Sequence, residues 1–379
     1  MEVVQVLHMN KGDGETSYAR NSTVQRKTQS IVKPIIEKAV LELLESNIMG
    51  IESMGIADLG CSSGPNTLLL ISHILDMIHA KPSRVTELRV FLNDLFSNDF
   101  NSIFMSLPSF YNKLKRDHDK GRDPDQHVMH PFVSAVPGSF YGPLFPRKSL
   151  HFVHSSFRLH WLSRVPDDLN NKGNICISKS SPKCVLDAHS MQFQKDFADF
   201  LSSRVPEMVE GGRMVLCFMG RRSSDLTVDD EGNLHSLELL ADALAAMVSK
   251  GLIEEEKVNS FNVPYYTPCP EELNLVLEKQ GSFIKDRIEA FSMDWEASAA
   301  DLNQNMRAVG DDQKITKSGQ RISNSLRVVA ESMLESHFGK EMVDEVFQKH
   351  AELVSKCLSS RTTRPKYIIF VISLVKIGN

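Results

Sequence analysis

The chain has 379 residues, 41% hydrophobic and 24% charged, a globular composition that excludes a disordered, collagen-like or disulfide-framework protein. Lysine and arginine number 43 against 48 acidic residues, and the formal charge of −5 offers no basic excess for nucleic acid or an anionic membrane, so neither is expected as a partner. The longest apolar stretch, residues 367–375, is about half of the ~20 residues a spanning helix needs, and no basic-then-apolar leader opens the chain. A soluble, cytoplasmic protein of one large or two smaller domains is the expectation. The six cysteines form no C-x-x-C pair and read as reduced thiols. Without a secretory signal, the acceptor-like Asn21-Ser22-Thr23 reads as coincidental.

In chain order, a polar, glycine-interrupted arm precedes a helical pattern over 31–45. An apolar run at 55–59 ends at Gly60, and after Pro65 a second helical pattern covers 66–80. The run at 88–92 completes a βαβ unit. Further strand-like runs lie at 132–136, 150–154, 214–219, 283–291 and 367–377, giving an α/β protein with a largely parallel sheet. Charge density over 113–130 and polarity over 299–323 predict loops, while helical periodicity over 236–251 and 325–358 suggests a cap on one end of the sheet.

Asp58-Leu-Gly60-Cys61-Ser62-Ser-Gly64-Pro-Asn66 falls where the first strand meets its helix, the place where open α/β sheets bind nucleotides. The second strand ends in Asn93-Asp94-Leu95, and a carboxylate there can accept both hydrogen bonds of a ribose diol while repelling a phosphate. With no phosphate loop present, an adenosyl ligand lacking phosphates, such as S-adenosylmethionine, fits better. The same Gly60-Cys-Ser62-Ser-Gly64 satisfies the nucleophile-elbow pattern of a serine ester hydrolase. Against that reading, the elbow falls early, no oxyanion segment precedes it, and His337 and His350 both lie in helical patterns.

These residues, with Val6-Leu-His-Met-Asn10-Lys-Gly12-Asp-Gly14-Glu-Thr-Ser-Tyr18, Leu92-Asn-Asp94-Leu-Phe-Ser-Asn-Asp-Phe-Asn101, Val136-Pro-Gly-Ser139-Phe140-Tyr-Gly142 and His160-Trp161-Leu-Ser163, resemble the plant SABATH methyltransferases over essentially the whole chain. The resemblance implies a class I S-adenosylmethionine-dependent methyltransferase, a Rossmann-like sheet under a helical cap, as a homodimer. It divides the chain into an arm closing over the active site (1–30), a core (31–225), a cap (226–282 and 295–365) and final core strands (283–294 and 366–379). It implies cofactor contacts at Tyr18, Asp58, Cys61, Asn66, Asp94, Leu95, Ser139 and Phe140. Gln25 and Trp161 match the donors that orient a substrate carboxylate, within a pocket including Phe157, His160, Ser236, Leu237 and Phe347. Neutral donors orient an oxyanion without blunting its nucleophilicity, and an acid of pKa ~4.3 is already ionised, so no general base is expected.

Departures from the family pattern bear on the acceptor. Ser236-Leu237 stand where salicylate- and jasmonate-type members carry a tryptophan, Phe157-Arg158 replace a Tyr-Ser pair, and Pro143 replaces an arginine. The resemblance also implies Mg²⁺ at Asn171, Asn259, Phe261 and Asn262, but asparagine at 259 replaces the carboxylate, so a weak, structural site is expected. The leading expectation is methyl-ester formation on a small jasmonate- or salicylate-like acid. The alternatives are xanthine N-methylation, the hydrolase, and a small-acid binding module without turnover.

Overall fold

Each of the seven apolar runs becomes a strand of a single sheet, in a computed structural model that describes residues 3–46, 50–80, 84–121, 129–167, 171, 173–225, 235–295, 311–360 and 365–378. α1 (Val3–Val6), α2 (Tyr18–Asn21) and α3 (Thr23–Ser46) lead into β1 (Ser53–Leu59) and α4 (Asn66–Ala80). β2 (Glu87–Asp94), α5 (Phe100–Gly121), β3 (Phe132–Pro137), β4 (Leu150–Ser156), α6 (Lys183–Glu207) and β5 (Met208–Met219) follow. α7 (His235–Ser249), α8 (Glu255–Ser260), α9 (Pro270–Gln280), β6 (Phe283–Asp294), α10 (Asp311–Phe338), α11 (Lys340–Ser360) and β7 (Lys366–Lys376) complete the described elements.

The order across the sheet is β3-β2-β1-β4-β5-β7-β6. The first five strands are parallel, whereas β7 runs antiparallel to both β5 and β6. Successive residues face opposite layers. Met54 and Ile56 of β1 join one apolar cluster with α3 and α4, while Ala57 and Leu59 join another with Phe193, Phe197 and Phe200 of α6. β6, at the edge, carries Lys285, Asp286, Arg287 and Glu289 along its length, charges that discourage pairing with a foreign strand.

Five sequence expectations are corrected. Residues 113–121 continue α5, in which Lys113, Lys115, Arg116 and Asp117 are exposed while Ile103, Leu107, Phe110, Tyr111 and Leu114 meet the core; 122–128 lie outside the described residues. Residues 311–323 likewise belong to α10, and 296–310 lie outside the described residues. The helical stretch at 325–358 is interrupted at Gly339, whose φ of 96° suits a residue without Cβ, so α10 and α11 pack as a hairpin. Within the expected cap, α7 does pack on α11, but α9 lies against α6 with Leu273 and Leu277 in the sheet-face cluster. α3 also begins at Thr23, within the stretch assigned to the arm, which puts Gln25 on its first turn.

One buried ion pair holds the loop after β3. The Arg204 and Glu207 side chains are 0% and 2% exposed and meet at 2.6 Å. Arg204 also donates to the carbonyls of Phe140 (3.0 Å) and Gly142 (2.8 Å), and Glu207 accepts from the N–H groups of Leu144 (2.6 Å) and Phe145 (3.1 Å). Removing one partner leaves an uncompensated buried charge, so Arg204→Met is expected to lower stability by about 3–5 kcal/mol in urea unfolding. Wild-type stability in that variant would contradict this account of the loop.

Candidate active site

The parallel strands end together, and their carboxyl ends carry the polar groups. Gly60 and Cys61 both donate N–H to the Asn93 carbonyl, at 2.8 and 2.9 Å, which folds the chain back from β1 towards α4. Gly60 has φ of 78° and Ser62 of 57°. The Ser62 N–H then points at Asp94, donating to Oδ2 at 2.8 Å, and Leu95 N–H donates to Oδ1 at 2.8 Å. Arg158 Nη2 reaches Asp94 Oδ2 at 3.2 Å while its Nε donates to the Gly60 carbonyl at 3.0 Å. Asn93 donates to the carbonyls of Val136 and Gly138, tying the end of β3 to the end of β2.

Asp94, Leu95, Ser139 and Phe140 line one cleft of about 420 Å³, which Val3 and Leu7 close from the arm. A neighbouring cleft of about 370 Å³ is lined by Tyr18, Gln25, Asp58, Cys61 and Asn66. Asp58 Oδ1 pairs with His154 Nδ1 at 2.8 Å, and the Asn66 amide donates to Ser22 at 3.1 Å, pinning α4 to the α2–α3 junction. Burial raises the Tyr18 hydroxyl to about 12 and pushes the Cys61 thiol up as well, so both stay protonated at neutral pH. Cys61 is therefore no thiolate nucleophile.

A third space, of about 720 Å³, is an apolar chamber lined by Gln25, Phe157, His160, Trp161, Ser236 and Leu237, with Met9, Met219, Tyr265 and Tyr367. Its size suits a small organic ligand. The Trp161 and Tyr265 rings lie 5.3 Å apart across an isolated bridge between their strands of chain. Trp161 and Gln25 both face this space, and Gln25 Oε1 is buried without a partner. An amide can present either nitrogen or oxygen by a half-turn of its last torsion. His160 Nδ1 accepts the Met219 N–H at 3.2 Å, which leaves the ring proton on Nε2, and burial aided by Arg158 lowers its pKa to about 3.

Residues 4–377 match the model of a family described as SAM dependent carboxyl methyltransferase. The chain belongs to that family. It is 54% identical to the probable jasmonic acid carboxyl methyltransferase 2 of Theobroma cacao and 49% identical to the jasmonate O-methyltransferase of Arabidopsis thaliana, each match covering 100% of both chains. A solved structure described as loganic acid methyltransferase with SAH is 33% identical, with a TM-score of 0.79 over 98% of this chain and 99% of that chain. The sheet and helices described above are thus those of a class I methyltransferase fold, and the chain is a SAM-dependent methyltransferase.

Within this carboxyl methyltransferase, the residues singled out from sequence do not all converge. Phe347 does not line the chamber; it is buried in the α10–α11 hairpin with the Arg327 guanidinium 5.5 Å above its ring. The serine-hydrolase alternative fails on geometry, because the Ser62 hydroxyl is buried with no hydrogen-bond partner, and the strand-end histidine His154 pairs with Asp58 and not with Ser62. Sequence reasoning missed Tyr265 and Tyr367 in the chamber; the Pro264-Tyr-Tyr-Thr-Pro268 aromatic turn was the available signal for the first.

The four residues matched to a Mg²⁺ site do not fit that ion. Asn171 spends its amide on the Cys176 carbonyl and on accepting the Ser181 hydroxyl, at 2.8 and 2.7 Å. Asn259 is exposed, and the buried Phe261 ring packs on His337 and Phe338. No carboxylate stands among them or Asn262, whereas Mg²⁺ favours hard anionic oxygens. No group of three His, Cys, Asp or Glu side chains gathers among the described residues.

Burial of neutral histidines has a consequence for acid stability. His350, held between the Ser323 hydroxyl and the Ser236 carbonyl, is lowered to about 4, and His160 to about 3, each from 6.5. Below 6.5 the unfolded chain binds these protons while the folded chain does not, so stability is lost as pH falls through that window. Unfolding free energy is expected to fall by up to about 1.4 kcal/mol per pH unit per histidine. His350→Gln should flatten the difference measured by urea titration between pH 6.5 and 4.5; an unchanged slope would refute the assignment.

Proposed function

We propose that this methyltransferase esterifies the carboxylate of a small, mostly apolar acid of the jasmonate or salicylate kind. The observation that carries the reading is the chemistry of the chamber wall. It contains no aspartate or glutamate, its His160 is too weakly basic to take a proton at neutral pH, and burial raises its tyrosines Tyr18, Tyr265 and Tyr367. An acceptor there must arrive already ionised, as a carboxylic acid does. A xanthine N–H must first lose a proton, and no lining side chain is suited to remove it.

S-adenosylmethionine supplies, when bound, an electrophilic methyl group on a sulfonium that leaves as a neutral thioether. Asp94 would accept from the ribose hydroxyls of the bound cofactor, and Leu95, Ser139 and Phe140, which line the same cleft, would enclose its adenine. Tyr18, Asp58, Cys61 and Asn66 line the remainder of the cofactor cleft. Gln25 and Trp161 would turn their N–H donors to the acceptor carboxylate and so orient one of its oxygens for methyl transfer. The walls Phe157, His160, Ser236 and Leu237 exclude water and set acceptor shape. Alignment rather than proton transfer is then the main task. The relatives named for jasmonic acid support a jasmonate-like acceptor over a benzoate.

Incubation with labelled S-adenosylmethionine and a panel of acids and xanthines is expected to yield methyl esters; methylation of purines alone would reject the ester reading. Gln25→Ala should raise KM for the acid by about tenfold or more, the scale of a hydrogen bond to a charged group, and weaken binding of S-adenosylhomocysteine (SAH) by less. Equal losses in both would show that Gln25 does not read the carboxylate. Asp94→Ala should abolish calorimetric binding of SAH, and unaltered binding would remove Asp94 from the ribose.

A further inference from the structure

Arg158 sits where the two halves of the site meet. It lines both the acceptor chamber and the cleft of Asp94, is 7% exposed, and lies flat on Gly60, where a Cβ would come within 2.0 Å of the arginine Cγ. The preceding residue, Phe157, has φ of 59°, a left-handed conformation that is costly for an aromatic residue and that turns the chain so residue 158 enters the site.

The acceptor count at Asp94 makes this placement consequential. A carboxylate offers about four lone-pair directions, two on each oxygen. Oδ2 spends both, on Ser62 N–H at 2.8 Å and Arg158 Nη2 at 3.2 Å, and Oδ1 spends one on Leu95 N–H at 2.8 Å. One direction remains, whereas a ribose diol brings two donors. The main-chain donors are fixed by the strand ends, so the guanidinium is the donor able to leave.

We propose that Arg158 is a specificity residue that exchanges carboxylates: it caps Asp94 while the ribose site is empty, yields Asp94 to the ribose, and takes the acceptor's carboxylate in the adjoining chamber. The proposal rests on the carboxyl methyltransferase reading above. A guanidinium released from Asp94 stays in a buried setting, where an unpaired charge is costly. No protein carboxylate lines the chamber, so an acid acceptor is the anion within it, and the planar fork matches a carboxylate in two-point fashion. The exchange makes acceptor binding depend on prior cofactor binding and selects against neutral acceptors. Because a counter-charge also blunts the oxyanion, loss of Arg158 should fall on KM rather than kcat.

The test is calorimetric titration of wild type, Arg158→Ser and Arg158→Lys with SAH, together with steady-state kinetics on the acid that wild type esterifies. Arg158→Ser should bind SAH about fivefold more tightly, since no cation must first be displaced, with Arg158→Lys between. KM for the acid should rise about tenfold in Arg158→Ser with kcat maintained. In wild type, saturating SAH should tighten binding of the acid, a measurement that stands even if the variants melt early. SAH affinity that is unchanged or weaker in folded variants, an unmoved KM, or no coupling in wild type would each overturn the exchange. A wild type that binds SAH and makes esters while Arg158→Ser behaves identically refutes Arg158 alone; a wild type that binds no SAH and esterifies no acid overturns the methyltransferase reading and this proposal with it.

Discussion

The carboxylate of Asp94, gripped by two main-chain N–H groups at the end of β2, is the constraint from which the rest of the site is laid out. One of those donors comes from Ser62, so the turn that follows β1 is shaped by the strand beside it. The other comes from the next residue, Leu95, so the carboxylate cannot swing without bending its own strand end. Asn93 carries the same order into β3 through two further carbonyls. A charged group held by fixed dipoles in a mostly buried place needs no rearrangement to receive a ligand, and that preorganisation is what a rigid sheet offers over a loop.

The chamber beside it is built differently, from pieces far apart in the chain. Asn10 N–H donates to the Val328 carbonyl, the Ser325 hydroxyl to the Asn21 carbonyl, and His8 and Ser332 bond each other, so the arm is sewn to α10. Met9 and Val24 therefore face Leu326 and Val329 across one apolar space. The polar groups that remain inside are neutral, apart from Arg158. Such a wall strengthens any charge interaction made within it and leaves the reaction to geometry.

How much of this was legible in the sequence depended on what kind of force fixes each feature. Interior strands such as β1 and β7, buried at nearly every residue, read as apolar runs because burial decides them, whereas the edge strands β3 and β6 are largely exposed and their strand-like pattern owes nothing to burial on two faces. The charge-dense 113–121 stretch misled because a surface helix needs only one apolar stripe, which Phe110, Tyr111 and Leu114 supply. The reversed direction of β7 left no trace, since residues 366–376 are equally apolar whichever way they run. Asp94 was legible from its place at the end of the second strand, whereas Gln25 and Trp161 were visible only through the family resemblance; the three now line neighbouring spaces. Phe347 was misplaced because a resemblance in sequence gives a residue's position along α11 and not the cavity its side chain borders. The contact of Arg158 with Asp94 was invisible, being a pairing of side chains brought together by a turn at Phe157 with an unusual backbone.

The place of β7 has a further consequence. It comes last in sequence among the described strands yet sits inside the sheet, between β5 and β6, with eleven residues of β7 pairing on the β6 side alone. Until it slots in, β5 and β6 each present a bare row of N–H and C=O groups, the kind of edge that recruits strands from other molecules. Nascent or C-terminally truncated chains are thus the form of this protein most exposed to aggregation, and completion of the sheet is the event that ends the hazard.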